Sequence, residues 1–305
     1  MSGGGLRLGT RGSALAQSKA IAEKLGAEVV IIESEGDKTS ASLAELGGTG
    51  VFATALRTAL RNDEVDVVVH SFKDLPTAPA DGLAIAAVPA RADARDALCA
   101  REGLTLDTLP EGARVGTGSP RRRAQLLARR PDLEVVDIRG NVDTRLARVG
   151  SDEADRHLDA VVLAIAGLDR LGRLDAVTQF LELAWWPTAP AQGALAIETR
   201  AGDRNLASKL DHRPTRLAAE AERGVLARLE AGCSAPVAAS AFLEDGMMFL
   251  SGRVYAPDGS ERVTASHALY VSDSKDPAGE LAHRVADELL ANGAAALAPL
   301  NGDRP

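Results

Sequence analysis

For roughly its first two hundred residues the chain alternates short apolar runs with helical patterns, and this alternation limits its fold more than any other feature. Leu6–Thr10, Glu28–Ser34 (EVVIIES), Val65–Ser71 (VDVVVHS), Leu83–Ala90 (LAIAAVPA), Ala113–Gly116, Leu133–Ile138 and Asp159–Ala166 (DAVVLAIA) read as strands. Between them Ser13–Leu25, Val51–Asn62, Ser119–Arg130 and Val142–Val149 carry helical spacing. Nearly continuous apolar strands separated by helices imply βαβ units and parallel sheets covered on both faces. The pattern restarts near 105–115, after the turn-rich DTLPEGAR, which divides it into two α/β domains. The last ninety residues change character. Thr215–Ala231 is a long helix, in which Gly224 costs up to about 1 kcal/mol relative to Ala. Ala235–Leu243, Met247–Tyr255 and Ser260–Val271 then read as three strands joined at the turns Asp245-Gly246 and Pro257-Asp258-Gly259, before a closing helix at Leu281–Asn292. The expected fold is α/β, with two α/β domains and a C-terminal α+β domain built on a three-stranded antiparallel sheet. The 305 residues suit two or three domains at about 100–200 residues each.

Composition excludes several classes. With 45% hydrophobic and 26% charged residues the chain can bury ordinary cores. No apolar run reaches the roughly 18 residues of a transmembrane helix, and MSGGGLRLGTRGS lacks the basic-then-apolar pattern of a signal peptide, so a cytoplasmic protein is expected. A net charge of −8 argues against a general nucleic-acid binder. There is no P-loop and no GxGxxG, and the five histidines are scattered without a CxxC, so neither a nucleotide nor a metal is expected. The 35 basic residues are 29 Arg and 6 Lys. Genome bias accounts for most of that excess, but not for where particular arginines fall.

Several strands run directly into polar clusters: Thr10-Arg11-Gly12-Ser13, Ser71-Phe72-Lys73-Asp74, Thr117-Gly118-Ser119-Pro120-Arg121-Arg122-Arg123 and Arg139-Gly140-Asn141. In parallel α/β sheets ligands bind beyond the carboxyl ends of strands, where helix N-termini favour anions, so these clusters point to an anion site. GTGSPRRR is the most informative. Ser119 suits the cap and Pro120 the first position of a helix whose first turn then holds three arginines. Cations there oppose the helix dipole by about 0.3–1 kcal/mol each, so stability alone does not favour them. Arg145 and Arg148 follow on a helix that Asn141 can cap. Five or six such groups imply a ligand with many anionic groups. Asp74, beside Lys73 at a strand end, can accept hydrogen bonds, stabilise a cation or move a proton. Cys233, in GCSAP after a helix-stopping Gly232, reads as a loop thiol suited to nucleophilic attack or attachment, whereas Cys99 in ALCA reads as a small buried hydrophobe. The polar, glycine-rich Glu35–Gly50 reads as a mobile binding loop, and Trp185-Trp186 as packing at a domain junction.

Taken in order, LRLGTRGSALA, EGD, GGTGVF, VVVHSFKDLPT, RDAL, VGTGSPRRRAQL, IRGNVDTRL, LAIAGLDRLG, QGALAIE, AERGVLARLEAGCSAP and APDGS resemble the hydroxymethylbilane synthase (porphobilinogen deaminase) family over residues 6–295. The resemblance implies two α/β domains of the periplasmic-binding-protein type II kind, 1–92 with 190–211 and 93–189, and an α+β domain at 212–305. It implies a transferase that joins four porphobilinogen molecules head to tail with loss of ammonia. Elongation takes place on a dipyrromethane cofactor held by a thioether at Cys233, and water then releases 1-hydroxymethylbilane. Asp74 matches the catalytic aspartate, thought to stabilise the azafulvene cation. Arg11, Arg121, Arg122, Arg139, Arg145 and Arg170 match carboxylate binders, and Ser13, Lys73, Thr117, Ser119 and Asn141 other cofactor or substrate contacts. Gln192 matches a residue of the interdomain hinge region, and Asp37 and Phe52 belong to the lid. Family members are usually monomers.

Some positions depart from the family pattern. Thr49 and Glu45 stand where lysines are common, and Gly118 and Pro120 where Ser and Leu are. Ala191 replaces a glycine, which alters the hinge if that glycine needs positive φ. A second reading of the residues, a non-catalytic polycarboxylate- or anion-binding protein of the periplasmic-binding-protein type, has no need of Cys233.

Overall fold

The computed structural model describes residues 5–12, 15–32, 51–153, 156–231, 235–298 and 300, with the backbone alone at 15, 16, 51 and 52. The chain divides into two compact units, Met1–Arg91 with Ala194–Ala219, and Ala92–Gly193 with Glu220–Pro305. Among the described residues no helix is long and apolar enough to cross a membrane.

In the first unit, β1 (Leu6–Thr10), β2 (Ala27–Ile31), β3 (Val67–Ser71) and β4 (Leu83–Ala87) are joined by β10 (Leu195–Arg200), in the order β2-β1-β3-β10-β4. β1 runs parallel to β2 and β3, while β10 is antiparallel to β3 and β4. The unbroken apolar run of β3 follows from burial on both sides. Val67 and Val69 pack with Ile21 of α1 (Leu15–Leu25), and Val68 packs with Leu56 and Leu60 of α2 (Val51–Arg61). On the α2 side, Glu198 of β10 is buried and paired. Arg57 Nε and Nη2 donate to its carboxylate at 2.9–3.1 Å, and His70 Nε2 lies 3.1 Å from Oε2. Burial would raise the Glu198 carboxyl, but these two partners hold it below its ordinary range.

In the second unit, β5 (Asp96–Ala100), β6 (Arg114–Gly116), β7 (Glu134–Val136), β8 (Ala160–Ala164) and β9 (Gln179–Leu181) take the order β7-β6-β8-β5-β9. β6 is parallel to β7 and β8, and β5 is antiparallel to β8 and β9. The two sheets therefore repeat one plan: three parallel strands, then one antiparallel strand, then an edge strand. The third sheet, β11 (Val237–Glu244), β12 (Met247–Tyr255) and β13 (Arg262–Tyr270), is antiparallel throughout. The fold class read from the sequence is thus the one found.

The helices are α3 (Pro120–Arg129), α4 (Val142–Leu146), α5 (Ile165–Arg170), α6 (Arg213–Arg228), α7 (Pro277–Ala291) and α8 (Ala294–Leu297). Boundaries differ from expectation where local signals were misjudged. The run DAVVLAIA is not one strand: β8 stops at Ala164, and Ile165, Ala166 and Leu168 are buried as one face of α5. α7 starts at Pro277 rather than Leu281, because Asp276 caps it by accepting from Gly279 N and Pro277 takes the first turn. α4 ends at Leu146, short of Val149.

Gly224 has a packing reason. A Cβ there would lie 2.6 Å from Ala282 Cβ on α7. Gly224→Ala gains about 1 kcal/mol of helix propensity but forces apart helices whose overpacking costs about 1–3 kcal/mol. We expect a net loss near 1 kcal/mol in urea unfolding, opposite in sign to propensity alone.

Ala191 adopts φ 61°, so the conformation a glycine would favour is held here by alanine. A buried carboxylate clamps it: Glu222 Oε2 accepts from Ala191 N at 2.6 Å, and Oε1 from Ala241 N at 2.8 Å. Relief of left-handed strain in Ala191→Gly, about 1–2 kcal/mol, is offset by chain entropy of about 0.4–1 kcal/mol and the lost burial of a methyl of about 0.8 kcal/mol, so that variant should be near neutral. Glu222→Gln should not be. It turns one acceptor into a donor facing a buried N–H and should cost about 1–3 kcal/mol by the same measurement.

Candidate functional site

Each α/β sheet gathers the expected polar clusters at the carboxyl ends of its parallel strands. In the first unit, β1 and β3 are parallel neighbours, so Arg11 after β1 and Lys73-Asp74 after β3 leave the same sheet edge. The end of β1 is fixed by the 2.6 Å hydrogen bond between the hydroxyls of Thr10 and Ser18, the latter on α1, and Ser71 donates to Gln17. Phe72–Asp74 forms one 3-10 turn: Phe72 is buried, Lys73 half-buried and Asp74 exposed. A buried aromatic thus anchors the turn that presents the carboxylate.

The second unit places the other group. Thr117 is buried after β6, and its hydroxyl accepts from Ser119 N at 3.2 Å. Ser119 caps α3 by accepting from Arg122 N, with Pro120 in the first turn. Gly118 fits tightly, since a Cβ would come within 2.7 Å of the Ile138 carbonyl; the glycine that departs from the family pattern is matched to this loop. After β7, Asn141 caps α4, its Oδ1 accepting from Thr144 N at 2.9 Å. Arg145 Nε donates to Gly140 O at 2.8 Å, and Arg139 lies 3.9 Å from the exposed Asp137. Arg170 ends α5, which follows β8, and reaches Gly193 O at 3.4 Å.

Arg121 and Arg122 turn inward and are 3% and 6% exposed. Both bind Asp96, a fully buried carboxylate that sequence reasoning did not single out. Arg121 Nη2 donates to Oδ2 at 2.9 Å and Arg122 Nη2 to Oδ1 at 2.6 Å. Trp186 Nε1 and Gln192 Nε2 complete the set at 2.9 and 2.8 Å. Burial alone would raise the Asp96 carboxyl, but the charges of Arg122 and Arg121 hold it far below its ordinary range. A signal was available: Asp96 in RDALCA is a charge at the start of an apolar strand, and such a charge is buried only when paired.

One carboxylate serving two guanidinia leaves a surplus positive charge. Other guanidinia crowd it. Burial pushes Arg145 down, and repulsion from Arg122 and Arg139 adds to the effect; burial also lowers Arg170. The Nε–H groups of Arg121 and Arg122 are buried without an acceptor. The surplus charge of the Arg121–Arg122–Asp96 set and its unspent Nε donors are costly for stability, and a ligand rich in carboxylates would relieve them. Among the described residues no group of three or more His, Cys, Asp or Glu could hold a metal. Cys99 is buried in β5, where burial pushes its thiol up to about 12, as suits a small hydrophobe rather than a nucleophile. Ser13, Asp37 and Cys233 lie outside the described residues, as do Glu45 and Thr49, and for Phe52 only its backbone place in α2 is given.

The comparisons bear on this arrangement. Residues 6–208 match the family model "Porphobilinogen deaminase, dipyromethane cofactor binding domain" and residues 216–291 match "Porphobilinogen deaminase, C-terminal domain". The chain is 58% identical to the porphobilinogen deaminase of Leifsonia xyli subsp. xyli, covering 99% of this chain and 96% of that one. It is 51% identical to that of Cutibacterium acnes, covering 97% of each, and 51% to that of Thermobifida fusca, covering 94% of each. A solved ABC transporter structure from Parabacteroides distasonis aligns at a TM-score of 0.38 and 13% identity over 72% of this chain and 73% of that one, too distant to carry weight. A family model spanning two thirds of the chain, a second over the C-terminal sheet, and relatives at this identity over nearly the full length agree: the chain belongs to the porphobilinogen deaminase family.

Proposed function

We infer that this chain is a transferase of tetrapyrrole biosynthesis, the hydroxymethylbilane synthase that joins four porphobilinogen molecules head to tail, releases ammonia at each step and frees 1-hydroxymethylbilane with water. The observation that carries the reading is the gathering of guanidinia at the carboxyl ends of β6, β7 and β8, two of which, Arg121 and Arg122, share one buried carboxylate and so keep one positive charge in surplus. Every pyrrole of this substrate bears acetate and propionate, so the growing chain supplies carboxylates suited to such a set. Forked guanidinium donors suit them better than lysine ammonium groups.

The residues have distinct parts. Cys233 would hold a dipyrromethane group as a thioether, and that group would supply the electron-rich carbon from which the chain grows. Arg139, Arg145 and Arg170 bind carboxylates, backed by Arg121 and Arg122, while Thr117, Ser119 and Asn141 hold the two helix starts in register. In the first unit Asp74 opposes the positive charge that develops on the substrate's aminomethyl carbon as ammonia leaves, with Arg11, Ser13 and Lys73 engaging carboxylates around it. Asp37 and Phe52 belong to the lid, and Gln192 holds the segment after Pro190. The three-domain division, 1–92 with 190–211, 93–189 and 212–305, is supported by the one hydrogen-bonded sheet that each part carries. We read the protein as a cytoplasmic monomer with no nucleic-acid partner, in keeping with its net charge of −8.

Family membership favours this over a non-catalytic anion-binding protein. Incubation of the purified protein with porphobilinogen tests it: the enzyme releases one ammonia per porphobilinogen consumed, turnover after turnover, whereas a binding protein takes up ligand stoichiometrically and releases none.

A further inference from the structure

We propose that Asp96 is the positioning residue for the arginines of this site: it sets the orientation of Arg121 and Arg122 and cancels one of their two charges, so that the pair meets an incoming carboxylate as a single fixed cation. The proposal rests on the reading above, that these arginines serve a polycarboxylate.

Three features separate this from a plain buried staple. The first is place. Asp96 opens β5 and pairs with Ala164, the last residue of the parallel strand β8, so it sits at the sheet edge where open α/β sheets bind ligands. The second is saturation. Oδ1 accepts from Arg122 and Gln192, and Oδ2 from Arg121 and Trp186, which uses the roughly four acceptor positions of a carboxylate. Each guanidinium is also held by its other arm. Arg122 Nη1 donates to Val162 O at 2.9 Å, and Arg121 Nη1 to Gln125 Oε1 at 2.5 Å and Pro187 O at 3.2 Å. With both arms held, neither plane can rotate. The third is cost. Three buried charges with one left over are a poor way to stabilise a core, and apolar residues of similar volume usually do as well or better. An arrangement that is expensive for folding and placed at the ligand edge is accounted for by what it does to the ligand.

Asp96→Asn tests it. The amide turns one acceptor into a donor, so one guanidinium loses its partner and swings away. Trp186→Phe is the control, removing a neutral donor from the same carboxylate while leaving both arginine pairs intact. Cofactor-free protein is mixed with porphobilinogen, and gain of the two-pyrrole mass is followed by mass spectrometry at a temperature where circular dichroism shows all variants equally folded. We expect Trp186→Phe to lower the thermal midpoint but load at the wild-type rate. Asp96→Asn should load about tenfold to a hundredfold more slowly, the loss that misplacement by about 1 Å brings, with KM for porphobilinogen raised in the loaded fraction. Equal loading and equal KM in the two variants would overturn the proposal and leave Asp96 a staple. If Asp96→Asn does not fold, Asp96→Glu replaces it, keeping the charge but moving it by one methylene: slower loading than wild type supports the proposal, and wild-type loading overturns it. Wild-type protein that never gains the two-pyrrole mass would instead mean that the reading of function has failed.

Discussion

Asp74→Asn should fold as the wild type does, carry its cofactor and lose turnover by about two to three orders of magnitude, the scale of removing one electrostatic contact made in the transition state. The side chain is exposed at the tip of the turn anchored by Phe72, so an isosteric amide disturbs no buried partner, and stability should stay within about 0.5 kcal/mol. The chemistry changes entirely. In the proposed mechanism a carboxylate opposes the positive charge left on carbon as ammonia departs, whereas a carboxamide presents no charge and turns a donor toward the cation. Porphobilinogen consumption at matched cofactor content, with thermal unfolding alongside, checks both halves. Near-normal turnover would remove Asp74 from the mechanism.

Arg145→Leu should separate function from stability in the opposite direction to most core substitutions. Its guanidinium is half-buried, bonded to one carbonyl and repelled by Arg122 and Arg139, and burial opposes its charge. Removing it relieves these costs, so the thermal midpoint should hold or rise. Cofactor loading and KM should suffer by about tenfold to a hundredfold, the loss expected for a charge-assisted hydrogen bond of about 1.5–3 kcal/mol. Arg121→Leu provides the contrast: it strips Asp96 of a partner in the interior, so stability and loading should fall together. If Arg145→Leu unfolds easily and loads normally, the residue is structural.

The parts of the fold that announced themselves were those whose burial is local. β3 reads as an apolar run because helices cover both of its faces, and the hairpin turns at Asp245-Gly246 and Gly259 mark the antiparallel sheet by their own backbone needs. β9, at three residues, is too short to display a period. β10 carries Glu198, which by pattern alone belongs outside, and its burial depends on Arg57 and His70, more than a hundred residues away. That the chain returns within 190–211 to the first domain was implied only by the family resemblance, and that it does so as an antiparallel strand, β10, was not read at all. The site divides in the same way. The caps at Ser119 and Asn141 were legible, since the capping residue and the helix it starts are neighbours in sequence. Arg121 and Arg122 were marked by their cost to the helix dipole, but their inward turn was not legible, because Asp96 and its partners lie 25 to 96 residues apart and no period encodes such distances.

The most direct test of the whole account is the intact mass of the protein purified from cells that make porphobilinogen, beside that of Cys233→Ser. The account predicts a wild-type mass above that of the bare chain by two pyrrole units, with the excess absent from the serine variant. Folded wild-type protein at its unmodified mass, or an excess that survives in Cys233→Ser, would contradict it.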